Sequence, residues 1–276
     1  MSNRPNSNPS PAAIVRDHFS RQSTDWSGRY AGAPRSMADL DLALRRESVH
    51  RLLWPVINDA SATLRVLDVG CGTGDVLDGL PRDLIQVVGL DFVREMVEIA
   101  NQTHPGDRFL QADAANLPIK SCSVDVVTSL GVIEYISKPE DVIDSMVRVL
   151  RPDGHVILSF PNRSGLFRNL LKVERRLDQM IHRLRGRTNT DGRGSAARYP
   201  HTQWSLREAS ALLESRGFKV ESTLMHSIGP WGRLGRIRPI IRFSRFLSRL
   251  MCHDRILAPC LAGTFVIRAR KGGEAT

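Results

Sequence analysis

Residues Val66-Leu-Asp-Val-Gly-Cys-Gly-Thr-Gly74 put glycines at 70, 72 and 74 directly after an apolar run, with Asp68 two residues ahead of the first. Glycines at this spacing let a chain turn sharply and approach a ligand without Cβ interference. A helix starting there offers free N–H groups to an anion, either a carboxylate or a phosphate. The turn alone is generic. A dinucleotide fingerprint reads Gly-x-Gly-x-x-Gly and a P-loop ends in Gly-Lys-Ser/Thr, and this segment has neither.

Two further acids narrow the ligand. Asp91 closes the next apolar run, 21 residues after Gly70, where a carboxylate accepts hydrogen bonds from ribose hydroxyls. Asp113, in Gln111-Ala-Asp-Ala114, follows a third run and can accept from the exocyclic amine of an adenine. Asp68 is suited to an ammonium. Phe92 and Ala114 adjoin two of these acids and belong to the same candidate site, and Cys71 reads as a small buried residue of the turn. Asp91 and Asp113 are also residue types that cap a following segment. At three successive strand ends, however, the three acids suit a ligand with an amino-acid head, a ribose and an adenine.

The elements around these residues alternate. Helical spacing predicts a helix over Met37–Ile57. Strands are predicted at Leu64–Val69, Gln86–Leu90, Arg108–Gln111, Val124–Ser129 and His155–Phe160. Helices fall near Asp75–Leu80 and over Phe92–Thr103 and Pro139–Leu150, the last opening on proline and acids. Strand–helix alternation argues for a doubly wound, Rossmann-like parallel α/β sheet. A helix at Leu206–Arg216, a strand at Phe218–Thr223 and a final strand at Thr264–Ala269 complete it. The last two need no crossover helix and can pair antiparallel, with Met225–Leu261 as an excursion. Residues 1–13, rich in Ser, Asn and Pro, read as a disordered leader, and 14–276 as one domain. Four cysteines without metal spacing suggest a reducing, cytoplasmic setting.

These motifs resemble the class I S-adenosylmethionine-dependent methyltransferases, in the branch of the ubiquinone-pathway O-methyltransferases and of lipid- and glycolipid-associated methyltransferases. The resemblance spans roughly 14–225. It includes Val66–Gly74, Gly89-Leu-Asp91, Gln111–Ala114, Asp125–Tyr135, Leu150-Arg-Pro-Asp-Gly154 and Phe160-Pro-Asn162. It implies seven strands with the last one reversed, S-adenosylmethionine as cofactor, and Leu130 beside the adenine or the sulfonium. It implies a preference for oxygen acceptors, with nitrogen or carbon of a soluble metabolite as the alternative.

The sulfonium is an activated methyl donor, so the protein mainly aligns the reacting atoms, and a hydroxyl acceptor gains from a base. Glu134 and Tyr135 follow the fourth strand, where ligands sit in such sheets. The resembled enzymes commonly read Glu-His there; Tyr135 stands in the histidine's place. His201, on a loop, is a third catalytic candidate. Trp26 and Tyr30 are candidates to cover the cofactor, or else pack the first helix onto the sheet.

The formal charge of the 276 residues is +10, and it is concentrated. Residues 163–198 carry +7 and 230–255 carry +6, which leaves −3 for the rest. Both lie in insertions, an acceptor-side one at 163–204 and a basic one at 225–261. Leu166, Leu170, Val173, Leu177, Met180 and Leu184 make one apolar helical face. Ile240, Phe243, Leu247 and Leu250 make another, opposite Arg238, Arg242, Arg245 and Arg249. Apolar and basic stripes on one helix suit an anionic membrane surface; the other reading is that the apolar faces cover the sheet. The expected partners are thus a small-molecule or lipid-like acceptor and an anionic membrane surface, with oligomeric state open. Nucleic acid is disfavoured, since Ser129-Leu-Gly-Val lacks the motifs of base methyltransferases and aromatics for stacking total 6%. A non-catalytic module that keeps the cofactor fold is the remaining class.

Overall fold

The computed structural model describes residues 10–170, 180 and 201–273. Seven strands form one sheet: β1 (Leu64–Val69), β2 (Ile85–Asp91), β3 (Arg108–Gln111), β4 (Val124–Ser129), β5 (Leu150–Pro161), β6 (Phe218–Ile228) and β7 (Ala262–Lys271), in the order β3-β2-β1-β4-β5-β7-β6. β1 to β5 pair in parallel, and β7 runs antiparallel between β5 and β6. Strand order reverses between β1 and β4, and in open α/β sheets that reversal opens a crevice at the carboxyl ends of the strands.

Side-chain alternation divides the core into two layers. Val66, Val126, Ile157 and Val266 meet Val49, Leu52, Leu53 and Ile57 of α3 (Met37–Asn58) on one face. Leu67, Val127, Leu158 and Phe265 meet Val142, Ile143 and Met146 of α5 (Pro139–Val149) and Leu213 of α6 (Leu206–Glu214) on the other. These strands read as continuous apolar runs because both faces are covered. α4 (Arg94–Thr103) flanks β2 and β3. α6 opens with a capping box in which Ser205 and Glu208 satisfy each other's N–H groups.

Several boundaries differ from the sequence reading. α1 (Pro11–Ser20) is capped by Ser10, so Pro11–Ala13 of the expected leader lie in a helical turn; α2 (Ser23–Tyr30) follows it. The helix after the glycine turn is a single 3-10 turn, Asp75–Leu77. β6 extends to Ile228 and β7 begins at Ala262, so the excursion between them is 229–261, not 225–261. The longer pairing follows from buried Leu224, Met225 and Ile228 opposite buried Val266, Phe265 and Ala262.

That excursion contains α7 (Arg238–Leu250), with Pro239 in its first turn. Only part of its expected apolar face covers the core: Leu247 packs against it, and Ile241 packs against Met37, Leu40 and Leu44 of α3. Ile241, Ser244 and Ser248 face inward, and Ser248 Oγ accepts the Ile228 N–H at 2.9 Å. Phe243, Phe246 and Leu250 point outward, 63%, 62% and 69% exposed. Small serines let the helix approach Gly229, which has no room for a Cβ beside Ser244. Arg245 and Arg249 pair with Glu47 of α3. Of the other expected apolar face, Leu166 and Leu170 are exposed on a helical segment at 166–170; Val173, Leu177 and Leu184 lie outside the described residues. No helix of the described residues is long and apolar enough to cross a membrane.

Candidate active site

A cavity of about 1030 Å³ opens at the carboxyl ends of the strands, roofed by α1, α2 and the start of α3. Its floor begins at the glycine turn. Gly70 and Cys71 donate their N–H groups to the Leu90 carbonyl at 2.7 and 3.1 Å, which folds the turn back over the end of β2. Gly70 has φ +74°, and a Cβ there would lie 2.1 Å from Val132 Cγ2. Gly72, at φ +54°, lies under the Trp26 indole. Both are positions where only glycine leaves the floor open.

Asp91 ties the turn to β2. Its two carboxylate oxygens accept the N–H groups of Gly72 and Val93, each at 2.8 Å, and each keeps a lone pair for a ligand hydroxyl. Burial pushes the Asp91 carboxyl above its ordinary value, while these N–H groups hold it down. Asp113 accepts the Ala115 N–H at 3.0 Å and also lines the cavity. The capping and ligand-facing readings of these two acids are therefore compatible.

Of the sequence-derived candidates, Tyr30, Gly70, Cys71, Gly72, Asp91, Phe92, Asp113, Ala114, Leu130, Tyr135 and His201 line the cavity, and so does Trp26. Three do not. Asp68 is buried beneath the turn and accepts the Thr128 hydroxyl at 2.7 Å, so contact with a ligand ammonium is not its arrangement here. Burial first, then the Asp91 charge, pushes the Asp68 carboxyl up to about 7, against the lowering effect of Thr128. Gly74 is turned at φ +87° toward His104 and Phe109, where a Cβ would clash; its role is in packing α4. Glu134 is fully buried, and its Oε1 accepts from Arg45 at 3.4 Å. A carboxylate held in that ion pair is not placed to take a proton from an acceptor.

Tyr135 and His201 are neighbours, with ring centroids 5.5 Å apart, and Phe19 of α1 packs edge-on against Tyr135 at 5.2 Å. The His201 loop is pinned by the Thr202 N–H, which donates to the Glu134 carbonyl at 2.8 Å. Burial lowers the His201 pKa, against the raising effect of Glu134, so the imidazole is neutral at neutral pH. Cys71 carries a thiol that burial pushes well up, consistent with an inert residue.

The sequence reading missed the charged residues of α3. Arg45 Nε donates to Asp41 Oδ2 at 2.9 Å, and Asp41 Oδ1 accepts Ser227 Oγ at 2.5 Å and Thr264 Oγ1 at 2.7 Å. Burial opposes the Asp41 charge, but Arg45 and His226 outweigh it and hold the carboxyl well below its usual range. Arg45, Asp41, Arg29 and Arg168 all line the cavity, and Arg29 pairs with Asp39 at 3.2 Å. A legible signal was present: Asp41 and Arg45 sit one turn apart among the apolar residues of a helix that packs on the sheet, where unpaired charges are not tolerated.

Comparison with known proteins agrees with this geometry. A family profile described as a methyltransferase domain matches residues 67–158. The chain is 28% identical over 245 residues to malonyl-[acyl-carrier protein] O-methyltransferase of Pectobacterium atrosepticum, covering 88% of this chain and 92% of that one. It is 35% identical over 105 residues to ubiquinone biosynthesis O-methyltransferase of Vibrio cholerae, covering 36% of this chain and less than half, 43%, of that protein. The crystal structure of magnesium protoporphyrin IX methyltransferase from Synechocystis PCC 6803 with bound SAH superposes with a TM-score of 0.63 at 19% identity, covering 95% of this chain and all of that one. Over residues 67–158 this chain is similar to methyltransferase domains, and its topology is the class I S-adenosylmethionine-dependent methyltransferase fold.

Proposed function

We propose that the chain transfers the methyl group of S-adenosylmethionine to an oxygen atom of a lipid-like or lipid-linked small molecule. The observation that carries the cofactor half is the clamp between Asp91 and the glycine turn, where a Cβ at residue 70 would fill the floor of the cavity. When bound, the cofactor supplies an electrophilic methyl on a sulfonium. Asp91 and Asp113 are the acceptors for its hydroxyl and amine groups, and Leu130 and Phe92 are apolar walls. Asp68 and Asp91, with carboxyls raised by burial, are groups that a nearby cation pulls toward ionisation.

The acceptor half rests on His201. A neutral imidazole in a cavity wall can take the proton of a hydroxyl as it attacks, and the Tyr135 ring fixes one side of that imidazole. Trp26, Phe19 and Tyr30 from α1 and α2 line the same cavity and would shield the reacting atoms from water. The preference for oxygen is supported by the names of the two relatives, both O-methyltransferases. The lipid-like character is supported by α7, whose aromatic residues face outward beside arginines.

Incubation with methyl-labelled S-adenosylmethionine and separate lipid, aqueous-metabolite and RNA extracts tests this reading. Label is expected in the lipid fraction, on an oxygen. Label confined to the aqueous fraction or to RNA contradicts the acceptor class, and cofactor binding without any label contradicts catalysis.

A further inference from the structure

The cavity is polarised in charge along the sheet. Asp91 and Asp113 stand at the ends of β2 and β3. Arg168 follows β5, and Trp231 follows β6, on the other side of the β1–β4 reversal. β2 and β5 are three strand positions apart, which at the usual strand spacing is about 14 Å. The acids and the arginine therefore occupy opposite ends of one cavity.

Arg168 differs from the other two arginines there. Arg29 is neutralised by Asp39, and Arg45 by Asp41 and Glu134. Arg168 has no carboxylate within ion-pair distance among the described residues, and its guanidinium stacks on the Trp231 ring at 4.9 Å. Its Nε and the Trp231 Nε1 are both buried N–H donors without an acceptor among the described residues. Unpaired buried donors are costly, and a guanidinium stacked on an indole is a preformed fork for a planar or tetrahedral oxyanion. Burial lowers the Arg168 pKa against the raising effect of Asp41 and Glu134, which are shared with Arg45, and an anion bound directly to the guanidinium would oppose the burial further.

We propose that the methyl acceptor carries an anionic group, a carboxylate or a phosphate, that seats on Arg168 beside Trp231 while its nucleophilic atom extends toward His201. This rests on the methyl-transfer reading for the identity of the ligand as acceptor, but not for the presence of the anion site. An anionic group at that end lies away from Asp91 and Asp113, so it is not repelled by the carboxylates that serve the cofactor. It also fixes which end of an amphiphile enters the cavity.

The test uses the full chain and four probes: benzoate, phenyl phosphate, benzamide and phenol. Tryptophan fluorescence reports occupancy of the cavity, which Trp26 and Trp231 both line, Arg168→Gln assigns the anion signal to the Trp231 end, and calorimetry with S-adenosylmethionine runs alongside as a separate readout. At least one anion is expected to bind saturably and about tenfold more tightly than either neutral probe. Arg168→Gln is expected to abolish that difference, and Arg168→Lys to keep part of it. Preference for benzoate or for phenyl phosphate distinguishes a carboxylate from a phosphate acceptor. Equal binding of all four probes, no binding of either anion, or an unchanged preference in Arg168→Gln overturns the proposal. Loss of cofactor binding with the anion preference intact would instead overturn the methyl-transfer reading alone.

Discussion

Arg45 reaches one helical turn back to Asp41 and across to Glu134, so a single buried guanidinium joins α3 to the segment that follows β4. Asp41 in turn is held by hydroxyls from β6 and β7. Ser227 adopts φ +63° to make that bond, a left-handed conformation unusual for serine. The network fixes α3, which roofs the cavity, to the reversed strand pair beneath it.

Asp41→Ala leaves Arg45 buried with only the longer Glu134 contact. Removing one partner of a buried pair costs about 3–5 kcal/mol, so the denaturation midpoint in urea should fall far more than for Thr264→Val, which removes one hydroxyl worth about 1–3 kcal/mol. Equal losses for the two variants would show that the network is not centred on Asp41.

Gly70→Ala should weaken S-adenosylmethionine binding by more than about tenfold. The new methyl would lie 2.1 Å from Val132 Cγ2 and force the floor of the site to move. Val132→Ala in the same chain removes the obstructing methyl, but not the cost of φ +74°, and should restore part of the affinity. Calorimetry on both variants measures this; no rescue at all would place the whole effect in the backbone conformation.

Cofactor affinity should rise with pH from 6 to 7.5. Burial pushes the Asp68 carboxyl up to about 7, so it is largely protonated at pH 6 and ionises through this window. A cation-bearing ligand favours the ionised form, so binding releases part of a proton near pH 7. Calorimetry in buffers of different ionisation enthalpy detects that proton. In Asp68→Asn the release and the slope should both diminish.

His226 is fully buried, and burial pushes its pKa down to about 4 against the pull of Asp41. The unfolded chain protonates this histidine near 6.5, the folded chain near 4. Stability therefore falls as pH drops from 6.5 to 4, by up to about 3 kcal/mol, and is insensitive to this group above pH 7. His226→Asn should flatten that part of the profile in urea melts at pH 7.5, 6.5, 5.5 and 4.5. A variant as acid-sensitive as the parent would assign the slope to the carboxylates.

Vesicles containing anionic lipid should sediment the chain, and neutral vesicles should retain less. Replacing Phe243, Phe246 and Leu250 by serine removes the outward apolar face without touching Ile241, Ser244 or Ser248, which pack inward. Binding that survives this triple substitution, or equal and negligible binding of the parent to both vesicles, would contradict a membrane role for α7.

Much of the sheet and of the cofactor end was legible in the order of residues. Apolar runs, the glycine spacing and the acids at 91 and 113 are local signals, and backbone geometry at a strand–turn junction follows from a few neighbouring residues. The reversed β7 was legible too, because an antiparallel neighbour of β6 requires no crossover helix, and α7 lies in the excursion between the two strands. What local pattern could not decide was which side of a charged residue faces a cavity. Asp68 and Glu134 carry the right chemistry at the right strand ends, yet Thr128 and Arg45 claim them from distant parts of the chain. Arg168 and Trp231 meet only because β5 and β6 flank the same reversed strand. α7 shows the same limit: periodicity marked its apolar and basic stripes, but serine packing against Gly229 decided that the aromatic stripe faces outward. The glycine turn is specified by sequence within ten residues, whereas the opposite end of the cavity is assembled from contacts between distant segments, such as Arg168 with Trp231 and Asp41 with Thr264, so only the tertiary structure decides it.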